Sequence, residues 1–366
     1  MHTQCGFPDW ANDWKTEGNI MKKILFATTA LVASAGFAAA EVQISGNAEM
    51  GIAKYGDDFV TTTSIDEGAA VFVSNVDIDF ALRGESDNGI SFGADIDLDE
   101  ATRTSNNREA VYVEAGGLRV TMGDTDGALD ARLAEPFLAG SSINDDETTH
   151  GAAMNADNVD GSHDGQVLRV DYSFSGVTVS VSAEQAVTAA QPNGTIGRGV
   201  FTGLSRQDNA YGIGVSYDAN LGGVDMNFAL AYQETAFFST SAATTVDMDI
   251  WGATVAAFFG NGFSAAIGYA QMDASVSATG VAIPANSGSM WNIGLGYEQG
   301  PIAVGINYGE IDSDLVNNDT TGWGMAASYD FGGGLSANFG YGSTDGPGVG
   351  PANDFDTYSL GLRMKF

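Results

Sequence analysis

The sequence predicts an all-β protein, a 16-stranded antiparallel transmembrane β-barrel, on three observations. The last nine residues alternate strictly between large apolar side chains and small or polar ones. Sixteen segments with this period of two, separated by glycine, asparagine and aspartate, can be counted along the chain. The connections between them are alternately short and long, as an up-and-down barrel with tight turns at one rim and long loops at the other requires.

The closing segment, residues 358–366, carries the sharpest signal. Successive side chains of a strand point to opposite faces, so one face here is wholly apolar. An alternating strand that ends the chain on an aromatic residue resembles the closing strand of outer-membrane β-barrels, which the assembly machinery reads. We therefore predict an assembly signal made of Tyr358, Leu360, Leu362, Met364 and Phe366.

The predicted strands follow in order along the chain, and their connections alternate in length. Seven short turns alternate with eight longer loops, and sixteen strands are enough to leave a water-filled channel. The strands lie near residues 42–55, 69–85, 90–101, 108–115, 118–123, 166–175, 177–186, 209–219, 224–235, 246–259, 263–272, 289–298, 302–311, 321–331, 335–343 and 354–366. The longer loops lie near 56–68, 102–107, 124–165, 187–208, 236–245, 273–288, 312–320 and 344–353.

The two faces of the strands indicate lipid outside and water inside. In residues 211–218, tyrosine, isoleucine and valine alternate with glycine, serine and aspartate. Sixteen apolar faces turned inward would overfill a soluble barrel. No run of 18 apolar residues follows residue 40, so a membrane helix is not expected.

The N-terminal region predicts export. Residues 21–40 read as a signal peptide, with Lys22 and Lys23, an apolar run and a small-residue cleavage site at Ala38-x-Ala40. Residues 1–20 show no organised pattern and are interpreted as an upstream extension that is not native mature sequence. The barrel is assigned to residues 41–366.

Composition excludes several kinds of chemistry. Removing residues 1–40 removes three acidic and three basic residues, so the net charge stays at −33, which disfavours nucleic acid as a partner. It also removes Cys5, the only cysteine.

His150 and His163 fall in one long loop without an obvious nucleophile, so we predict neither an enzyme nor a catalytic residue. No cofactor and no defined metal site are predicted, although loosely bound Ca²⁺ on acidic loops is plausible.

Two local motifs carry a family resemblance that extends over the mature chain in architecture. Residues 82–86 (LRGES) and residues 109–124 (EAVYVEAGGLRVTMGD) resemble the general diffusion porins of Gram-negative outer membranes, in the alphaproteobacterial style. The resemblance implies a third loop folded into the barrel, a homotrimer, contacts with outer-membrane lipid and lipopolysaccharide, and assembly by the barrel machinery.

The longest connection, 124–165, is the predicted constriction. A loop of this length without function is uncommon in a compact domain. Folded inward, its carboxylates would face basic wall residues across the narrowest point and set a transverse field. The alternative is a solvated acidic surface loop. The predicted constriction residues are Asp124, Asp126, Asp130, Glu135, Asp145, Asp146 and Glu147.

The predicted pore wall contains acids and arginines. Aspartates that alternate with apolar residues should face the lumen, and their number favours cations. Three arginines could face the lumen as well, or could pair locally with neighbours such as Glu85 and Asp171. The acidic residues are Asp77, Asp79, Asp95, Asp97 and Asp99, and the basic residues are Arg83, Arg108 and Arg169. At Asp79 many enterobacterial members of the family carry an arginine instead.

These observations predict an outer-membrane porin through which small hydrophilic solutes and ions diffuse passively, with a preference for cations. A solute-specific channel of similar architecture is the first alternative, and it would show a line of aromatic residues along the lumen. A secreted soluble β-rich adhesin is the second.

Overall fold

A computed structural model describes residues 41–54, 70–99, 107–136, 140–143, 150–154, 167–185, 205–206, 209–239, 244–278, 287–313, 319–346 and 354–366. Residues 1–40, which include the predicted leader, lie outside this part of the chain. Among the described residues, no helix has the length and apolar character needed to cross a membrane.

The described residues form a closed antiparallel barrel in which each long strand pairs with its neighbour in the chain. The first and last strands also pair, Met50 with Leu362 for example, and this closes the sheet. The strands are β1 (Glu41–Lys54), β2 (Val71–Glu85), β3 (Ser91–Asp99), β4 (Asn107–Ala115), β5 (Leu118–Gly123), β6 (Val167–Phe174), β7 (Val177–Glu184), β8 (Ser205–Arg206), β9 (Ala210–Leu221), β10 (Val224–Ser239), β11 (Thr244–Phe259), β12 (Phe263–Ala278), β13 (Gly288–Gln299), β14 (Ile302–Ser313), β15 (Thr320–Gly332), β16 (Leu335–Asp345) and β17 (Asp354–Lys365).

Sixteen long strands span the barrel, which confirms the predicted number. The one remaining strand, β8, has two residues. It pairs with the far end of β10, beyond the part of β10 that pairs with β9. We count it as an interrupted continuation of β9. The tight turns also lie where glycine was expected, as at Gly116 and Gly117, whose φ angles of 59° and 83° suit a residue without a Cβ.

The prediction was wrong about where β10, β11 and β12 end. The predicted loops near 236–245 and 273–288 took in residues that the structure pairs as strand: β10 runs to Ser239, β11 begins at Thr244 and β12 runs to Ala278. Strand ladders can extend past the apolar belt of a barrel, and the alternation that marks a membrane strand is no longer required there.

The outer surface carries two rows of aromatic residues. Near the long loops, Trp251 packs on Tyr269 at 5.4 Å between ring centroids, and the pairs Trp291–Tyr308 and Trp323–Tyr341 repeat this contact at 5.4 and 5.1 Å. Near the short turns lie the pairs Phe263–Tyr297, Tyr329–Phe331 and Tyr172–Phe174. Exposed apolar side chains such as Ile293, Leu295 and Ile306 lie between the rows. This apolar band between two aromatic girdles is the surface that a lipid bilayer covers.

Beyond the girdle near the long loops, β10–β12 reverse the expected faces. The lumen side carries the buried Met248, Ile250 and Met272, whereas Asp249 and Asp273 pair in register on the outer side. The general expectation of an apolar outer face therefore fails here. These strand ends lie past the lipid-facing band, so their outer face tolerates charge, and their inner face packs against protein.

The seam between β1 and β17 contains an ion pair. Glu49 and Arg363 are opposite each other in register, and Arg363 Nε lies 2.5 Å from Glu49 Oε1. The Glu49 side chain is 3 % exposed. Both residues lie on the lumen side, so charge complementarity supports the last pairing that closes the barrel.

Candidate functional site

The segment after β5 lies inside the barrel and follows the wall. Asp126 contacts β6 through its carbonyl oxygen, which accepts a 2.8 Å hydrogen bond from Arg169 Nη1. Ala128 N donates to Ser182 Oγ of β7 at 2.8 Å, and Ala134 N donates to Thr254 Oγ1 of β11 at 3.0 Å. At the far end, the Ile143 side chain lies against Gly51 of β1. We call residues 124–143 the first pass of the loop.

Residues 150–154 return along the same wall, and we call them the second pass. Gly151 N donates to Thr344 Oγ1 of β16 at 2.7 Å. Asn292 of β13 makes two contacts: its Oδ1 accepts from Met154 N at 2.9 Å, and its Nδ2 donates to Ala152 O at 2.8 Å. The third loop is therefore folded inward, as the predicted fold class states.

Glycines on the lumen face form the seat of the loop. A Cβ at Gly340 would lie 2.6 Å from Ser142 Cβ, and one at Gly214 would lie 2.5 Å from Ala128 O. At Gly294 a Cβ would overlap the carbonyl oxygen of Pro136. Real side chains do not approach so closely, so glycine is required where the backbone of the loop touches the wall.

An apolar cluster fills the space between the loop and β10–β14. Leu129 and Leu133 of the first pass and Met154 of the second are at most 1 % exposed. Wall residues of the same cluster are Ala229, Ala231, Met248, Ile250, Ala270, Met272, Ala274, Met290 and Ile311. Burying such side chains stabilises the loop by roughly 1.5–3 kcal/mol each, which opposes its movement into open lumen.

The predicted acids of the first pass lie on its less buried side. Asp124, Asp126, Asp130 and Glu135 are partly exposed, whereas the apolar residues between them are buried against the wall. Backbone hydrogen bonds from Ala131 N to Gly127 O and from Leu133 N to Leu129 O form a helical turn that separates the two sides. Asp145, Asp146 and Glu147 lie outside the described residues.

The remaining arc of the wall is β2–β5, and four of the five predicted aspartates, Asp77, Asp79, Asp95 and Asp97, lie on its lumen side. Asp79 pairs in register with Asp97, and both are partly exposed. Asp77 is buried and accepts a 3.0 Å hydrogen bond from Asn75 Nδ2. Asp99 pairs in register with Asp77, but its side chain is outside the described part. The two strands therefore place the carboxylates of Asp79 and Asp97 opposite each other.

The three predicted arginines have different surroundings. Arg83 Nη2 lies 2.6 Å from Asp95 Oδ1, so this arginine pairs with a carboxylate of the wall. Arg169 is 7 % exposed; its Nε donates to Asp171 Oδ2 at 3.0 Å, and it holds the base of the loop. The backbone of Arg108 pairs with Asp97, and its side chain lies outside the described part.

Sequence reasoning missed two residues of this arc. Tyr112 faces the lumen and is 9 % exposed, with the Arg119 guanidinium carbon 4.0 Å from its ring centroid and that of Arg83 at 5.3 Å. Arg119 Nε donates to Thr121 Oγ1 at 3.3 Å. The alternation of β5 puts Arg119 on the same face as Thr121 and could have indicated its position.

The aromatic line expected of a solute-specific channel does not appear among the described side chains. Those that face the lumen are Tyr112 and Phe258, and Phe258 packs against the apolar pair Ala256 and Ala266 under the first pass. Nor do the described histidine, cysteine, aspartate and glutamate side chains form a group of three placed to hold a metal ion.

The apolar residues of the predicted assembly signal lie on the outer face of the last strand. Phe366 is 80 % exposed and Leu360 is 51 % exposed. The backbone of Phe366 donates to Gly46 O at 2.9 Å, so the C-terminus stays paired with β1. The apolar face that the sequence predicted for this strand is therefore exposed on the outer surface of the barrel, next to the seam with β1.

Comparisons with known proteins agree with this geometry. The family model for Gram-negative porins matches residues 27–349. The chain is a Gram-negative porin. A curated relative, the porin of Rhodobacter capsulatus, is 25 % identical over 336 residues, which cover 89 % of this chain and all of the relative.

Solved porins share the fold of this porin. A porin structure refined at 1.8 Å resolution matches with a TM-score of 0.62 at 22 % identity, and a Rhodopseudomonas blastica porin variant matches with a TM-score of 0.55 at 18 % identity. Each match covers 89 % of this chain and all of the other. This porin is therefore an outer-membrane channel, and its family consists of channels, not enzymes.

Proposed function

We propose that this porin favours cations as small hydrophilic solutes diffuse through it, and that the inward loop sets their size limit. The observation that carries the proposal is the acidic arc on β2 and β3, where Asp79 and Asp97 pair in register on the lumen face. The first pass of the loop turns its partly exposed acids away from its own buried side. Carboxylates that line a passage raise the local concentration of cations and lower that of anions.

A planar-bilayer recording under a KCl gradient tests the cation preference. The unaltered porin should give a reversal potential that indicates potassium over chloride. The double variant Asp79→Asn, Asp97→Asn should move the reversal potential toward zero. Asp87→Asn, in the exposed turn between β2 and β3, removes an acid away from the lumen face and serves as the matched control. A reversal potential that indicates chloride in the unaltered porin would contradict the proposal.

The size limit has its own test. Deletion of much of the segment 128–147 should raise both the conductance and the largest polyethylene glycol that enters the channel. The contacts of residues 128–136 with β7, β11 and β13 support this expectation, because this part of the loop occupies cross-section that would otherwise be water. Full conductance with an unchanged size limit after the deletion would contradict the proposal that the loop forms the constriction.

We infer further that the porin works as a homotrimer among outer-membrane lipid and lipopolysaccharide after export through the signal peptide at 21–40. The apolar face of β17 and its exposed terminal Phe366 support recognition by the barrel assembly machinery. The proposal also includes loose binding of Ca²⁺ to the acidic loops. Heat-modifiable gel migration, cross-linking in native membranes and N-terminal sequencing of the exported protein test these points.

A further inference from the structure

His150 begins the second pass of the loop and is one of its most enclosed polar residues. It is 7 % exposed, and its ring lies against β15, where a Cβ at Gly322 would be 2.5 Å from Nδ1. The ring thus occupies space that only a glycine leaves open. Its position depends on the wall, not on the loop alone.

Both ring nitrogens of His150 are engaged in a way that only the neutral ring allows. Nδ1 accepts a hydrogen bond from Ala152 N at 3.3 Å, which requires a lone pair there. Nε2 then carries the proton and donates to Asn307 Oδ1 at 3.1 Å. A second proton would have to go on Nδ1, where it would face the Ala152 N–H. Two donors would then oppose each other where His150 is only 7 % exposed.

The wall around His150 offers no countercharge among the described residues. The wall residues in contact with its ring are Asn307 and Gly322. Charged residues on β13–β16 and their ends lie elsewhere: Glu310, Asp312 and Asp345 are on the outer side, Glu298 and Asp330 are at the short-turn end, and Asp319 accepts a hydrogen bond from Ser313 N. Asp145, Asp146 and Glu147 precede His150 outside the described part of the chain.

We propose that His150 is an acid-sensitive latch of the second pass: protonation on Nδ1 breaks its contacts with β14 and β15 and raises the fraction of molecules in which residues 150–154 leave the wall and enter the lumen. The proposal rests on the inward loop and goes beyond diffusion, since it gives the channel a proton-controlled conformation. The strand barrel itself stays closed. The lumen narrows because a docked segment becomes a free one inside it.

The pH range follows from burial. Desolvation lowers the pKa of His150 from 6.5 to about 4, against a smaller opposite effect of the bond to Asn307. The docked state binds the proton less well than the detached state, so docking is fully stable above pH 6.5 and is lost as the pH falls toward 4. Between pH 7 and pH 4.5 the detached population should rise roughly 50-fold by this linkage.

A buried thiol reports the movement. Met154 is 1 % exposed and lies against Gly268 of β12, and the only cysteine of the sequence is Cys5. In a Cys5→Ser background, Met154→Cys should react with 4,4′-dithiodipyridine roughly 50-fold faster at pH 4.5 than at pH 7. Its rate is divided by that of Glu114→Cys, on the uncovered wall, to remove the pH dependence of the reagent.

Matched histidine variants decide the outcome. His150→Asn keeps an acceptor for Ala152 N but cannot be protonated, so its normalised rate should be the same at both pH values. His163→Asn should keep the acid response of the parent. The proposal is overturned if the thiol stays protected at pH 4.5 in the parent, or if His150→Asn retains the acceleration.

Two further measurements keep the test independent of the cysteine variant. Amide exchange of the peptide containing residues 150–154, corrected for intrinsic rates, should show the same loss of protection in the otherwise unaltered chain. In planar bilayers the acid-induced fall in conductance should be smaller in His150→Asn than in His163→Asn. Identical conductance profiles would refute the entry of the segment into the lumen, whereas loss of the inward loop itself would appear as an unprotected peptide at pH 7.

Discussion

Asn292 links the second pass of the loop to β13, and its replacement by alanine is the sharpest test of how the loop is held. The side chain is fully buried, and its two amide atoms satisfy Met154 N and Ala152 O at 2.9 and 2.8 Å. Asn292→Ala leaves an N–H and a C=O of the loop without their protein partners. Each such buried group costs about 1–3 kcal/mol, so we expect docking to weaken by about 2–6 kcal/mol.

The barrel offers a matched control for this change. Asn227 also faces the lumen and is 1 % exposed, but its Nδ2 donates to Asp218 Oδ1 of the neighbouring strand at 2.7 Å. Asn227→Ala therefore removes a buried amide that links two strands of the wall and does not contact the loop through this bond. Both variants should keep the heat-modifiable migration of a folded barrel, because the backbone ladders remain.

Hydrogen–deuterium exchange of the peptide that contains residues 150–154 measures the effect. A docking loss of about 2–6 kcal/mol corresponds to roughly 30- to 20,000-fold faster exchange in Asn292→Ala. Asn227→Ala should leave this peptide protected. Equal protection in the two variants would refute the idea that hydrogen bonds from the wall hold the second pass.

Three further predictions concern other contacts. Arg119→Gln removes a positive charge from the lumen face and should increase the preference for cations, and an unchanged reversal potential would count against that position. Gly340→Val forces the Ser142 segment at least about 0.8 Å off the wall, a strain of about 1–3 kcal/mol, and should lower single-channel conductance while Gly260→Val, in open space, does not. Arg363→Met leaves the buried Glu49 carboxylate without its guanidinium and should cost about 3–5 kcal/mol, read as a lower melting temperature that Glu49→Gln partly restores.

How much of the site could be predicted is clear from particular residues. Asp79 and Asp97 were placed on the lumen face because each lies between apolar residues, and alternation is a local property. Arg169 was placed on the same face, and its pairing with Asp171, two residues along the same strand, was one of the expected alternatives. Its bond to the carbonyl oxygen of Asp126 could not be foreseen, since the path of a distant segment brings that partner to it. His150 had no recognisable partner because Asn307 is 157 positions away.

The sequence by itself determined the number of long strands, the tight turns and the apolar outer face of the strands. Each of these depends on neighbours along the chain, where a period of two and a glycine turn leave a readable pattern. The tertiary structure alone decided the course of the inward loop and the reversed faces near the long loops. A lumen glycine such as Gly294 looks like any other small residue until the carbonyl of Pro136 is found against it. Packing between segments far apart in the chain has no local period, and only closure of the barrel brings those surfaces together.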